Sequence, residues 1–164
     1  MNKKCIMIAC AFFVAVALQA KVSLPAFFSD GMVMQQQSQA SLWGNASKGK
    51  IVEVTTGWDG QTYTTRADEQ GKWKLTVQTP AAGGPYDITF DDGERTRIKD
   101  ILMGELWICS GQSNMEMIMR NDPQWRLYVD NANEEIAVAD YPGIRFMTVQ
   151  RNESFTALDE VLTE

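Results

Sequence analysis

Apolar and polar side chains alternate through much of the chain before residue 101. In "KWKLTVQT", Trp73, Leu75 and Val77 fall on one face and Lys72, Lys74, Thr76 and Gln78 on the other, the period of a half-buried strand. "YDITFDD" repeats it with Tyr86, Ile88 and Phe90, while "IVEVTTGW" and "QTYTTRAD" are rich in the β-branched and aromatic residues that suit a pleated surface. Asp59-Gly60 between two such runs predicts a hairpin with a type I′ turn, which requires positive φ at both central positions. Asp68-Glu-Gln-Gly71, Asp92-Gly93 and the longer Pro80-Ala-Ala-Gly-Gly-Pro85 punctuate the other connections. Short strands at this spacing, with no helical stretch between them, predict an all-β, Ig-like antiparallel sandwich over 21–101.

Beyond Asp100 the periodicity changes. "ILMGELWICS" is a nearly continuous apolar run, as expected of a strand buried on both faces of an α/β sheet. A turn at Gly111 leads into "SNMEMIMR", the start of a short helix. A second helix is predicted from an Asp122 N-cap and Pro123 at its first position, carrying Trp125, Tyr128, Val129, Ala132, Ile136 and Ala139 on one face and stopping at Pro142-Gly143. "IRFMTVQ" reads as a further strand. Residues 102–164 number 63, whereas a doubly wound domain takes well over about 100 residues. The expectation is therefore that another chain completes this sheet or that the sequence is the front portion of a longer product.

The first twenty residues have a different character. Lys3 and Lys4 precede an apolar run over residues 6–18, and Ala20 offers a small residue before polar sequence begins at Lys21. That is the layout of a secretory signal peptide over 1–20, and the run is shorter than the roughly 20 residues a membrane-spanning helix needs. Its removal takes away two of the three cysteines, leaving Cys109 alone, and moves the net charge from −6 to −8. A mature chain without a disulfide fits export to a bacterial periplasm or cell surface. Membrane contact is expected only through export. With no basic cluster, nucleic acid is excluded as a partner, because phosphate binding needs a positive surface.

The candidate chemistry lies in "ELWICSGQSNMEM", where a strand delivers Ser113 into a tight turn. Three readings compete: an N-capping loop serine, a nucleophile near backbone N–H groups at a helix start, or part of a ligand-binding loop without chemistry. The chain contains no histidine, and a serine hydroxyl is weakly nucleophilic until a base takes its proton. A Ser–Lys dyad would need Lys72 or Lys99 as base, and both read more simply as solvent-facing strand residues.

"GELWICSGQSNMEM" closely resembles the first sequence block of the SGNH hydrolases, in the branch of sialate O-acetylesterases and related carbohydrate acetylesterases, with Gly-Gln-Ser-Asn-Met where other members carry Gly-Asp-Ser-Leu. "LPAFFSDGMVMQQ", "LWGNASKGKIVEV", "GKWKLTVQTPAAGGPYDITF" and "YPGIRFMTV" resemble that family's N-terminal segments, in order. The resemblance covers essentially all of the chain after residue 20. It implies the N-terminal part of a flavodoxin-like SGNH domain over 102–164, with Ser113 as nucleophile and its N–H in the oxyanion hole. It also implies an acetylated glycan, a sialoside or similar, as substrate, and no cofactor. The family draws its remaining oxyanion donors, a Gly and an Asn, and its His base, usually assisted by an Asp, from later blocks that do not occur here. In subtilisin, loss of the triad histidine costs on the order of 10⁶ in turnover, so the chain alone is expected to be inactive.

Among the remaining residues, Met115, Met117 and Met119 are expected as packing residues and Cys109 as a buried small hydrophobe. Glu116 either orients something or is solvated. No cluster supports a metal site. Trp43, Trp58 and Trp73 raise the prospect of a sugar-stacking platform, with Trp73 assigned to the core by its register. The alternative function is a non-catalytic glycan-binding or scaffold β-sandwich.

Overall fold

The computed structural model describes residues 21–119, 128–158 and 160–163. The expected signal peptide and the expected helix start at Asp122, Pro123 and Trp125 lie outside the described residues.

The chain is mostly β. Among the described residues, seven strands precede residue 105: β1 (Val33–Gln35), β2 (Gln39–Asn45), β3 (Ile51–Thr56), β4 (Thr62–Arg66), β5 (Lys72–Gln78), β6 (Gly83–Asp91) and β7 (Arg95–Gly104). Five form one sheet in the order β1-β7-β6-β3-β4, and β2 and β5 form a second. All pairings are antiparallel except β1 with β7, which run parallel with Val33 opposite Leu102 and Gln35 opposite Gly104. One core lies between them. The two-stranded sheet sends in Leu42, Trp73 and Val77, and the larger sheet Val52, Val54, Ile88, Phe90, Ile98, Ile101 and Met103. Trp73 and Phe90 meet across it with ring centroids 5.8 Å apart. Each large apolar side chain so buried contributes about 1.5–3 kcal/mol.

The alternation read from "KWKLTVQT" and "YDITFDD" is what the sheets use: Trp73 and Val77 point inward while Lys72, Lys74, Thr76 and Gln78 are exposed. Gly44 is required where β2 passes Ser23, because a Cβ there would lie 2.3 Å from the Ser23 carbonyl oxygen and 3.0 Å from the Trp73 ring.

The Asp59-Gly60 hairpin forms, but not through a type I′ turn. Only Gly60 has positive φ (70°). The Gly60 N–H donates to the Thr56 carbonyl at 2.9 Å, the Thr56 N–H donates to the Gln61 carbonyl at 3.0 Å, and Asp59 Oδ1 accepts from the Gln61 N–H at 3.0 Å. The loop therefore holds four residues, 57–60, and the Asp59 carboxylate closes it in place of a second left-handed residue.

The larger departures follow β7. "ILMGELWICS" is not one buried strand. Its first four residues end β7, with Ile101 and Met103 buried in the core, so the strand runs past residue 101. From Glu105 to Gln112 the backbone is irregular and exposed, Trp107 being 81% and Ile108 91% accessible. β1 supplies a ladder partner as far as Gly104, and beyond it no strand among the described residues takes up the free N–H and C=O groups. Two short helices follow, α1 (Ser113–Glu116) and α2 (Ala132–Val138). α2 begins after Asn131 in a left-handed conformation (φ 55°), so Tyr128 and Val129 precede the helix they were expected to join. "IRFMTVQ" forms no strand: Val149 makes one isolated bridge to Thr163, and Phe146 is 90% exposed. Arg145 instead turns back to β7, donating to the Gly31 carbonyl at 2.8 Å and to Asp100 Oδ1 at 3.0 Å.

Thr79 pins the turn between β1 and β2. Its buried hydroxyl donates to the Gln35 carbonyl at 2.7 Å and accepts from the Ser38 N–H at 2.9 Å. Thr79→Val keeps the shape and removes both bonds. It is expected to lower unfolding stability by about 1–3 kcal/mol, measured by urea titration with tryptophan fluorescence.

Candidate active site

The path to Ser113 starts from a fixed point. As β7 ends, the Gln36 N–H donates to the Gly104 carbonyl at 2.9 Å. The Glu105 carboxylate then accepts from Gln36 Nε2 at 2.7 Å and from Gln35 Nε2 at 3.2 Å. Gln35 Oε1 accepts from the Leu106 N–H at 2.9 Å, and Gln36 Oε1 from the Ala82 N–H at 2.8 Å. Gln35 thus uses both donor and acceptor to hold the chain just after β7, while Gln36 ties Glu105 to the connection that precedes β6. The bonds from Gln36, foremost, and from Gln35 favour the ionised carboxyl and hold Glu105 below the usual glutamate range. Sequence reading missed this latch. Its signal was the pair Gln35-Gln36 closing "MVMQQ", which acquires meaning only once β1 is known to lie beside β7.

Ser113 is the first residue of α1, and the N-cap position belongs to Gln112, which makes no side-chain capping bond. The capping reading of Ser113 is thereby set aside. Its side chain is exposed, and among the described residues nothing hydrogen-bonds its hydroxyl. As a first helical residue its N–H has no intrahelical acceptor, so it is available as an oxyanion donor. The dipole expected to assist is small, because α1 has only four residues. Neither lysine hydrogen-bonds Ser113. Lys72 lines a cavity beside Trp43 and Trp73, and Lys99 lies on β7, where its backbone N–H donates to Asp30 Oδ1 at 2.7 Å.

The surroundings of the serine correct two expectations. Cys109 is a free, exposed thiol rather than a buried hydrophobe. Met115, Met117 and Met119 are each about half exposed instead of filling a core. Both expectations assumed an apolar surface against which this segment packs, and the described residues contain none there. Among them, no three side chains of the metal-ligating types converge either.

The three tryptophans do not form one platform. Trp73 is 2% exposed, in the core as its register predicted. Trp58 packs on the edge of the core, donating its indole N–H to the Gln78 carbonyl at 3.0 Å with Tyr86 edge-on at 6.1 Å. Trp43 alone faces outward, 36% exposed.

Comparison with known proteins finds acetylesterases similar to this chain. The mouse (Mus musculus) sialate O-acetylesterase is 30% identical over 149 residues, covering 84% of this chain and 26% of the relative. The human (Homo sapiens) sialate O-acetylesterase is 27% identical over 147 residues, covering 83% of this chain and 27% of the relative. Among solved structures, a carbohydrate acetylesterase from Xanthomonas citri superposes with a TM-score of 0.75 at 29% identity, covering 87% of this chain and 31% of that one. No family model matches the chain. The resemblance read from the sequence blocks is thus a partial match to the sialate O-acetylesterases, extending over most of this chain and about a quarter of the length of the curated relatives.

Because Glu105 is held below its unfolded value, its ionised form favours the folded state above that value, and the contribution disappears as pH falls through the lowered folded one. Glu105→Gln is expected to flatten the loss of stability as pH falls through and below the ordinary glutamate range of about 4.3, read by denaturant titrations on both sides of it. Parallel curves for the two proteins would show that the carboxylate is not held by the amides.

Proposed function

We propose that this chain is the nucleophile-bearing part of a carbohydrate O-acetylesterase acting on acetyl esters of sialic acid or a related glycan. The observation that carries the reading is Ser113 itself, exposed at the first position of a helix just beyond the β7 exit, in a chain that matches sialate O-acetylesterases over most of its length. In this reading Ser113 Oγ attacks the acetyl carbonyl carbon while a base takes its proton, and the Ser113 N–H donates to the developing oxyanion. The ester C–O bond breaks, the sugar oxygen leaves as an alcohol with that proton, and water then attacks the acetyl-enzyme to release acetate.

The proposal extends to architecture. Residues 21–101 are taken as an Ig-like sandwich and 102–164 as the opening of an SGNH-type α/β domain. Residues 1–20 are taken as an export signal directing the protein to the periplasm or cell surface. The base comes from polypeptide other than these 164 residues, which contain no histidine, so the chain alone is inactive. The uncovered apolar side chains of residues 106–108 and 144–149 support a completing segment or partner over this region.

Hydrolysis of p-nitrophenyl acetate and of an O-acetylated sialoside tests the assignment. The chain alone is expected to show no turnover above background. A protein extended to the full length of its relatives is expected to be active, with Ser113→Ala lowering its turnover by on the order of 10⁶. Full activity in that variant, or robust activity of the 164 residues alone, would overturn the assignment.

A further inference from the structure

We infer that the cavity over the outer face of β2 and β5, bordered by β4, is a binding cleft for a carboxylate-bearing sugar, separate from Ser113. The inference does not depend on Ser113 being catalytic. The cavity has a volume of about 590 Å³, within the range of small-ligand sites, and Ser113 is not among its lining residues.

Its lining combines the two surfaces a charged sugar needs. Trp43 offers an outward indole, fixed by edge-on contacts with Phe27 at 5.2 Å and Phe28 at 4.9 Å. The face of such a ring is electron-rich and attracts the slightly positive C–H groups of a pyranose. Lys74 stands directly opposite Trp43 in the ladder, with Thr65 and Arg66 beside it on β4 and Asn45 at the end of β2. The Thr65 hydroxyl gives its proton to the Lys74 carbonyl at 3.1 Å, which leaves its lone pairs to accept from a sugar hydroxyl.

Charge selects which sugar. The strand residues at the cavity bring Arg66 and Lys74, with Lys72 beside them engaged with a partner of its own, on a chain of net charge −6. Against them stand Asp68 and Glu160. Asp68 is committed to its own turn, accepting through Oδ1 from the Gln70 and Lys72 N–H groups at 2.9 and 2.8 Å. Arg66 gives one guanidinium nitrogen to the Gly49 carbonyl at 2.6 Å. Neither Arg66 nor Lys74 meets a carboxylate among the described residues. A planar guanidinium and an ammonium lining the same cavity as an outward indole suit a ligand carboxylate. The groups sit on paired strands, so the backbone needs little ordering on binding.

Isothermal calorimetry and tryptophan fluorescence on the chain test this, with sialyllactose and trigalacturonate as anionic probes and lactose as the neutral control. Saturable binding of the anionic probes is expected, weaker at high salt, with lactose at least about tenfold weaker. Trp43→Ala is expected to weaken binding about tenfold, and Lys74→Gln, on an exposed strand position that does not touch the core, by several-fold. Absence of saturable binding, equal affinity for lactose, or indifference to both cleft substitutions would overturn the inference. So would binding by the chain that vanishes in a full-length protein, which would show that further polypeptide fills the cleft. None of these outcomes alters the esterase test, where Ser113→Ala is decisive.

Discussion

The parallel pairing of β1 with the end of β7 governs where this chain leaves its core. Three residues of β1 supply a ladder for residues 102–104, so that Ile101 and Met103 are buried on the β side. Gln35 and Gln36, at and just beyond the end of β1, are thereby brought to Glu105. The same turn is held from beneath by Thr79. The direction in which residues 106–113 depart is thus set by a strand more than sixty residues earlier in the sequence. A serine presented this way owes its position to long-range contacts and little to its own four-residue helix.

That dependence explains which features were legible in the sequence. Strands such as β5 and β6 announce themselves because alternation is a local property, and Trp73, Val77, Ile88 and Phe90 bury on the side their register assigns. The end of β7 was misjudged because a continuous apolar run is compatible with more than one sheet, and the choice lay with β1, a strand of only three residues. The turn at Asp59-Gly60 was placed correctly and typed wrongly, since a side-chain carboxylate does the work assigned to backbone geometry. Cys109, Met115 and Met117 were expected to be covered because apolar character states what a residue prefers, whereas burial needs a facing surface. "IRFMTVQ" has the composition of a strand, yet Arg145 within it is drawn to Asp100 and the Gly31 carbonyl instead.

The candidate site shows the same division. Its serine was singled out by a short motif, and the structure leaves that hydroxyl open and unpartnered among the described residues. What the motif cannot carry is a proton acceptor, because bases in serine hydrolases come from distant parts of the chain and converge only in the completed fold. The latch at Glu105 was invisible for a related reason: each of its residues is unremarkable until two strands are placed side by side.

The two-stranded sheet touches the core with one face only. Leu42, Trp73 and Val77 satisfy that face, and the exposed β5 positions between them, Lys74 included, carry no share of it. Substitution at these intervening sites is therefore largely decoupled from folding. A lineage can rewrite them to suit a new sugar, or erase them altogether, while the scaffold that aims the serine is inherited intact.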